Sequence, residues 1–512
     1  MNIGASVYAL GLPTAASGGG GVVTLAGPLS GFGELETVTP TPTSQVAFVY
    51  NLNPLLVTSD VYGAGASVQA VNGEVVIASG TQADGYARLV SKKVAKYRAG
   101  QATMARWTAR FSDGRVGNRQ IAGLYNIEAG WQFGYDGTTF GILYTETATV
   151  EVQTLTVTVA PAAPGNVTVT LDAGTPVLAA VTASGSTSVT ASEIAAANYA
   201  NTAGGWDAQA IGNVVYFTRR TAGTAGPSTF AAGATGTAAA FAILTTGVAP
   251  TEQFIPQSAW NQDTFDGSGG TANPSGILLD PTKGNIYEVQ FQYLGYGDAY
   301  FYVVNGTTGR PTLCHVVRNA NTRTSTNLRN PNLYLTWESR NTGSTTSVTM
   351  RGASGGAFVE GPVAFLGAQF AVPPVAVTAN AGVETPILSL RANTVYQNRQ
   401  STAQLQIDRL SVACDGTKTV AFRVYKNGTL TAARWQSVNT VTSAASYDVN
   451  ATAFTIGTGT LVYAFSVSKT GNITESLTDL DLFLQAGDVL TITALSANAN
   501  DVTATAVWVE DV

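Results

Sequence analysis

The chain has 512 residues, only 11% of them charged, and a net charge of −6. A charge content this far below the usual ~25%, with a negative balance, argues against nucleic acid as a partner. It predicts large surfaces buried against copies of the chain or other proteins, or a surface made polar by Thr, Ser and Asn instead of by charge.

One histidine, His315, and two distant cysteines, Cys314 and Cys414, leave no Cys/His spacing for zinc and no room for a histidine cage. No metal and no cofactor is expected. No apolar run is long enough for a membrane-spanning helix, so no membrane insertion is expected. The N-terminus "MNIGASVYALGLPTAASGGGG" lacks the basic region of a secretory signal.

Residues 1–60 are rich in Gly, Pro and Thr ("SGGGG", "TVTPTPTS") and cannot build a core of their own. They read as an extended arm or a strap lying on a partner. Strands follow from about 61 to 150, among them "SVQAVNGEVVIAS", "ARWTARF", "QIAGLYNI" and "GWQFGYDGTTFGILYT". No Lys or Arg precedes Arg88, and then Arg88, Lys92, Lys93, Lys96, Arg98 and Arg106 arrive together. The run is a solvated strand face with its loops, or a contact patch (Lys92, Lys93, Lys96, Arg98) for an acidic neighbour or an anionic glycan.

In "GWQFGYDGTTFGILYT", Trp131, Phe133 and Tyr135 alternate and share one face. That face is core in a sandwich, or a platform on which sugar rings stack. Tyr135, Asp136 and Thr138 sit at the turn and are better placed to touch something outside.

Residues 151–250 differ in style and read as an inserted α+β unit of ββαββ order. "TLTVTVA" and "GNVTVTLDAG" give two strands. "TASEIAAANYANTAGG" gives a helix, with Thr190 and Glu193 at capping-box spacing and Gly204 as its stop. "WDAQAIGNVVYFTRRTAG" supplies two more strands, with Arg219 and Arg220 at an exposed end.

The style of 61–150 resumes over 251–365. In "NIYEVQFQYLGYGDAYFYVVNG", Tyr287, Val289, Phe291 and Tyr293 alternate with Glu288, Gln290 and Gln292, as in a half-buried antiparallel strand. Gly295, Gly297 and Asp298 turn the chain into a hairpin. Tyr296 and Asp298 in that turn join Trp131, Tyr135, Asp136 and Thr138 as candidate glycan or partner contacts. "VPPVAVTANAGVETP" reads as a linker, and 366–512 as a C-terminal sandwich of short strands closing on Trp508. The expected fold is mainly β: a multi-domain β-sandwich and jelly-roll protein with a small inserted α+β unit.

The segments "AKYRAGQATMARWTARF", "GWQFGYDGTTFGILYT", "NPSGILLDPTKGNIYEVQFQYLGYG" and "RNPNLYLTWESRNTG" resemble parts of tailed-bacteriophage virion proteins of the fibre, spike or appendage kind. "GNVTVTLDAG…SEIAAANYA…WDAQAIGNVVYFTRRTAGTAG" is similar to a small domain that recurs in phage tail and fibre proteins. The C-terminal part resembles jelly-roll fibre heads, and "FGYDGTTFGI" with its Tyr/Trp-rich strands resembles concanavalin-like sandwiches. The resemblance implies a virion component with four parts: an arm (1–60) for attachment, an interrupted concanavalin-like sandwich (61–150 with 251–365), the insert (151–250) and a jelly-roll head (366–512).

Chemistry is poorly provided for. Cys314 and His315 are adjacent in a strand and point to opposite faces, so they form no nucleophile–base pair. The carboxylate pairs Asp263/Asp266 and Asp479/Asp481 read as turn residues, and no nucleotide-binding glycine motif is present. The expected role is therefore non-enzymatic: assembly and host-surface adhesion by a homotrimer. Its arm would bind other virion proteins (portal, capsid, neck or tail), and its exposed loops a host glycan. The alternatives are a capsid decoration protein without a receptor and a polysaccharide-degrading tail spike.

Overall fold

The computed structural model describes residues 38–363 and 367–512. The protein is mainly β, with several antiparallel sheets and, among the described residues, one short α-helix. Its hydrophobic interior is divided into three cores.

The first core lies between a six-stranded and a ten-stranded sheet in a sandwich-like arrangement. Strand Asn285–Phe291 sits inside the six-stranded sheet, pairing with Thr103–Ala109 on one side and Ala299–Val304 on the other. Tyr287, Val289 and Phe291 are buried, as their alternation predicts. Glu288, on the other face, is also buried, because Arg106 covers and neutralises it. Trp107, Trp131, Trp260 and Trp337 are the largest side chains of this core. Burying each contributes upward of ~2 kcal/mol.

Within residues 40–60, read from sequence as part of the arm, 40–47 and 57–60 lie in strands instead. Pro40–Ala47 pairs with Ser354–Glu360 at the edge of the six-stranded sheet, and Val57–Tyr62 pairs with Tyr86–Ser91 at the edge of the larger one. Pro40 and Pro42 are tolerated there because an edge strand leaves one side of its backbone unpaired. The rest of the expected arm, up to residue 37, lies outside the described residues.

A single strand of 21 residues, Thr139–Val159, runs from the first core into the third. Its first half pairs with Gly130–Asp136 and Val248–Pro256, its second half with Val214–Ala222 and Ala238–Thr245. Ile142 and Tyr144 belong to the first core, Leu155 and Val157 to the third. Residue 150, where the sequence style changes, is therefore mid-strand. The Thr/Val alternation of "TETATVEVQTLTVTV" contains no Gly or Pro to interrupt it.

The helix Thr187–Ala195 packs Ala191 and Ile194 into the third core beside Trp206 and Phe217. Its N-cap is Ser186, whose side chain accepts from Val189 N, and it ends at Ala196, well before Gly204. Thr190 is inside the helix, its hydroxyl donating to Ser186 O at 2.9 Å. Glu193 accepts from the backbone N of Thr182, 3.0 Å away, instead of closing a capping box.

The C-terminal core lies between two further six-stranded sheets, with Leu390, Phe422, Ile492 and Trp508 inside. The expected linker is partly strand: Val375–Ala379 pairs with Asn500–Asp511.

Candidate functional site

A chamber of about 380 Å³ opens where residues of all three regions meet. Its floor is the outer face of the ten-stranded sheet, with Asp60, Arg88, Tyr125 and Tyr334. One wall carries Asp207, Thr218 and Arg220. The other comes from the C-terminal region, with Ser401, Gln485 and Asp488.

Charges at the chamber are matched within it. Asp60 binds Arg88, and also Arg220 at 3.0 Å. Arg220 reaches Asp207 at 2.6 Å, and Arg88 reaches Glu338 at 3.4 Å. Asp488 is held by Lys92 at 2.8 Å and Lys426 at 2.9 Å. Burial opposes the charge on Arg88, but Asp60 and Glu338 more than offset it and raise its pKa. Burial likewise pushes the Asp488 carboxyl up, and Lys426 and Lys92 bring it below its ordinary value. Such a carboxylate stays ionised and is a poor proton donor.

Four buried polar atoms at the chamber's residues have no hydrogen-bond partner: both amide atoms of Gln485, Thr218 Oγ1 and Arg88 Nε. Gln485 is only 6% exposed. It lies in "FLQAGDVL", where the sequence shows only a turn before a strand. One polar residue among apolar neighbours is the sole signal that could have marked it.

The structure disperses the residues expected from sequence to touch a glycan. Trp131 is fully buried, stacked on Tyr144 with ring centroids 4.0 Å apart, and offers no face to solvent. Tyr135 is half-buried at the core's edge against Phe111 and Phe140. Asp136 pairs with Arg119 at 3.2 Å. Thr138 is exposed. Tyr296 is also exposed, while Asp298 accepts from Arg318 and from Asn319 N, each at 2.8 Å. Burial raises the Asp298 carboxyl, but those bonds lower it further, to below its ordinary value. The two turns lie at opposite ends of the sandwich, because Trp131 meets Phe291 beside one turn whereas Tyr135 begins the other.

The basic run finds acidic neighbours inside its own chain. Lys92 pairs with Asp488, Lys93 with Asp481 and Arg98 with Asp511, all in the C-terminal region. Lys96 is buried with no hydrogen-bond partner for its ammonium, and burial lowers its pKa to about 8.

The remaining polar candidates are structural. Cys314 donates to Phe301 O at 3.2 Å, while His315 Nδ1 accepts from Asn261 N at 3.2 Å. Asp263 accepts from Phe265 N and Ser275 N, and Asp266 accepts from Ser268 N and Asn273 Nδ2. Those bonds keep the Asp266 carboxyl well below its ordinary range. The side chain of Asp479 lies outside the described residues. Among the described residues, no three His, Cys, Asp or Glu side chains are grouped to hold a metal ion. No protein family matches the chain, and neither does any curated protein.

Proposed function

We propose that the chain is a non-enzymatic structural subunit of a tailed-bacteriophage virion, of the fibre, spike or appendage kind, that serves assembly and adhesion to the host surface. One observation carries this reading. The few charges the chain has are spent internally: most of its lysines and arginines are ion-paired to its own carboxylates, including Arg106–Glu288, Arg399–Glu128 and Arg423–Glu384. What remains outside is poor in charge, with Leu178, Ile243, Val248 and Leu278 more than half exposed. Such a surface is suited to lying against other subunits.

In this reading the first core is a concanavalin-like sandwich, the third an inserted α+β unit and the C-terminal core a jelly-roll head. Residues before the first strand attach the subunit to portal, capsid, neck or tail proteins. Copies assemble as a homotrimer, and linked copies multiply weak receptor contacts into avidity. The resemblance of the quoted segments to virion proteins supports the assignment.

The test is proteomic. Phage particles purified by density gradient from a culture carrying this sequence are digested and analysed for its peptides. The expected result is stoichiometric recovery of the chain with the particle. Its presence only in the lysate, with intact particles free of it, would refute the assignment.

A further inference from the structure

A second cavity lies between the helix Thr187–Ala195 with strand Trp206–Ile211 on one side and residues 428–435 of the C-terminal region on the other. We propose that it binds the carboxylate of a small organic acid, with Arg391 and Gln209 holding the head group. The proposal goes beyond the virion reading and rests on this cavity alone.

The first argument is an uncompensated cation. Four basic side chains are buried among the described residues: Arg88, Lys96, Arg391 and Lys426. Arg88 and Lys426 are ion-paired. Lys96 and Arg391 are not, and the Lys96 ammonium is sealed from solvent. Arg391 stacks on Trp435, donates to Ala210 O and, through Nε, to Ser446 Oγ at 3.2 Å. None of these is a counter-ion. Burial lowers its pKa to about 9, and Asp448 only partly opposes this. The Asp448 oxygens accept instead from Arg434 N and Ala451 N. A buried cation without a counter-ion is costly, and an anion in the cavity relieves that cost.

The second argument is a pair of open donors. Arg391 Nη1 makes no hydrogen bond, and it is not among the atoms sealed from solvent. Gln209 is only 4% exposed. Its Oε1 accepts from Thr394 N at 2.9 Å and Thr394 Oγ1 at 3.2 Å, which leaves Nε2 as the free donor end. Nε2 also lacks a partner and is not sealed. Both residues line the cavity, and Gln209 directly precedes Ala210, which Arg391 bonds. Two donors, one of them charged, match the two oxygens of a carboxylate.

The third argument is size and lining. The volume of about 380 Å³ is near the lower end for ligand pockets, roughly 300–1,000 Å³. Ala195, Ala208, Leu430, Trp435 and Val489 give it apolar surface for a short aliphatic tail. The lining has one carboxylate, Glu193, held by Thr182 N and Oγ1. Its charge disfavours a doubly charged anion more than a singly charged one.

Gln209→Glu separates binding from folding. It keeps the oxygen that Thr394 bonds and replaces Nε2 by the second oxygen of a tethered carboxylate. The variant should melt at or above the parent temperature and bind the acid tenfold or more weakly. Arg391→Met should also lose binding. It gives up the bond to Ala210 O as well, so its melting temperature should fall, and the first variant keeps the test independent of that loss.

The experiment titrates the full chain with acetate, butyrate and hexanoate by calorimetry, in a chloride buffer free of other carboxylates. Hexanol, phosphate and sulfate are the controls. The proposal expects saturable binding of butyrate or hexanoate, tighter than acetate, with no binding of hexanol and loss of affinity in Gln209→Glu. It is overturned if no acid binds, so that the cavity holds water only. It is overturned if phosphate and sulfate bind as well as the acids, which is an adventitious ion only, or if hexanol binds as well, which is apolar filling. Acid binding indifferent to Gln209→Glu overturns it too, because the site then lies elsewhere.

Discussion

His315 shows how burial sets the behaviour of a single residue. It is 7% exposed, and burial lowers its pKa to about 4, so the folded protein holds it neutral. In the unfolded chain it takes a proton near pH ~6.5. Between those values the unfolded state binds more protons, so stability falls as pH drops from about 6.5 towards 4. His315→Asn keeps an acceptor near Nδ1 and removes the titration. Denaturant unfolding at pH ~7 and ~4.5 should show a larger acid loss in the parent than in the variant; equal losses would contradict a buried neutral imidazole. Other residue roles were partly legible. The alternation of Trp131 and Phe133 marks core, and both are in it. The chamber was not legible, because Asp60, Arg88, Thr218 and Gln485 are brought together only by tertiary folding and form no local pattern.

At the scale of elements, strands were easier to read than boundaries. The 285–304 hairpin follows from period two and its glycines. The helix start was misplaced because "SGSTSVTAS" offers several Ser and Thr residues able to cap, and spacing alone cannot choose among them. The end of the first strand set was obscured because one strand, Thr139–Val159, serves two cores. The glycines of "GWQFGYDG" also have an element-level cause. Gly134 has φ +157, and a Cβ there would lie 1.9 Å from Gln120 O on the paired strand. Gly134→Ala must push the strands apart and should cost about 3 kcal/mol, in the range of overpacking. Urea unfolding measures it; a loss under ~1 kcal/mol would show that the strand pair yields easily.

At the scale of the molecule, the three cores are tied by polar clamps. Lys92–Asp488 and Arg399–Glu128 join the first sandwich to the C-terminal region. Arg391 reaches from the C-terminal region to Ala210 O while stacking on Trp435, 4.1 Å from its ring centroid. Bonds of this kind fix orientation at the expense of surface charge. They answer the question raised by the basic run: its acidic partner is largely the chain's own C-terminal half. They also leave the exterior poor in charge, which is why the account requires neighbours.

The most direct test of that requirement is the native mass of the purified full-length chain by light scattering at micromolar concentration. The account predicts three times the 52.8 kDa of one chain. A mass of one chain, unchanged on concentration, would contradict the self-assembling subunit and the avidity built on it.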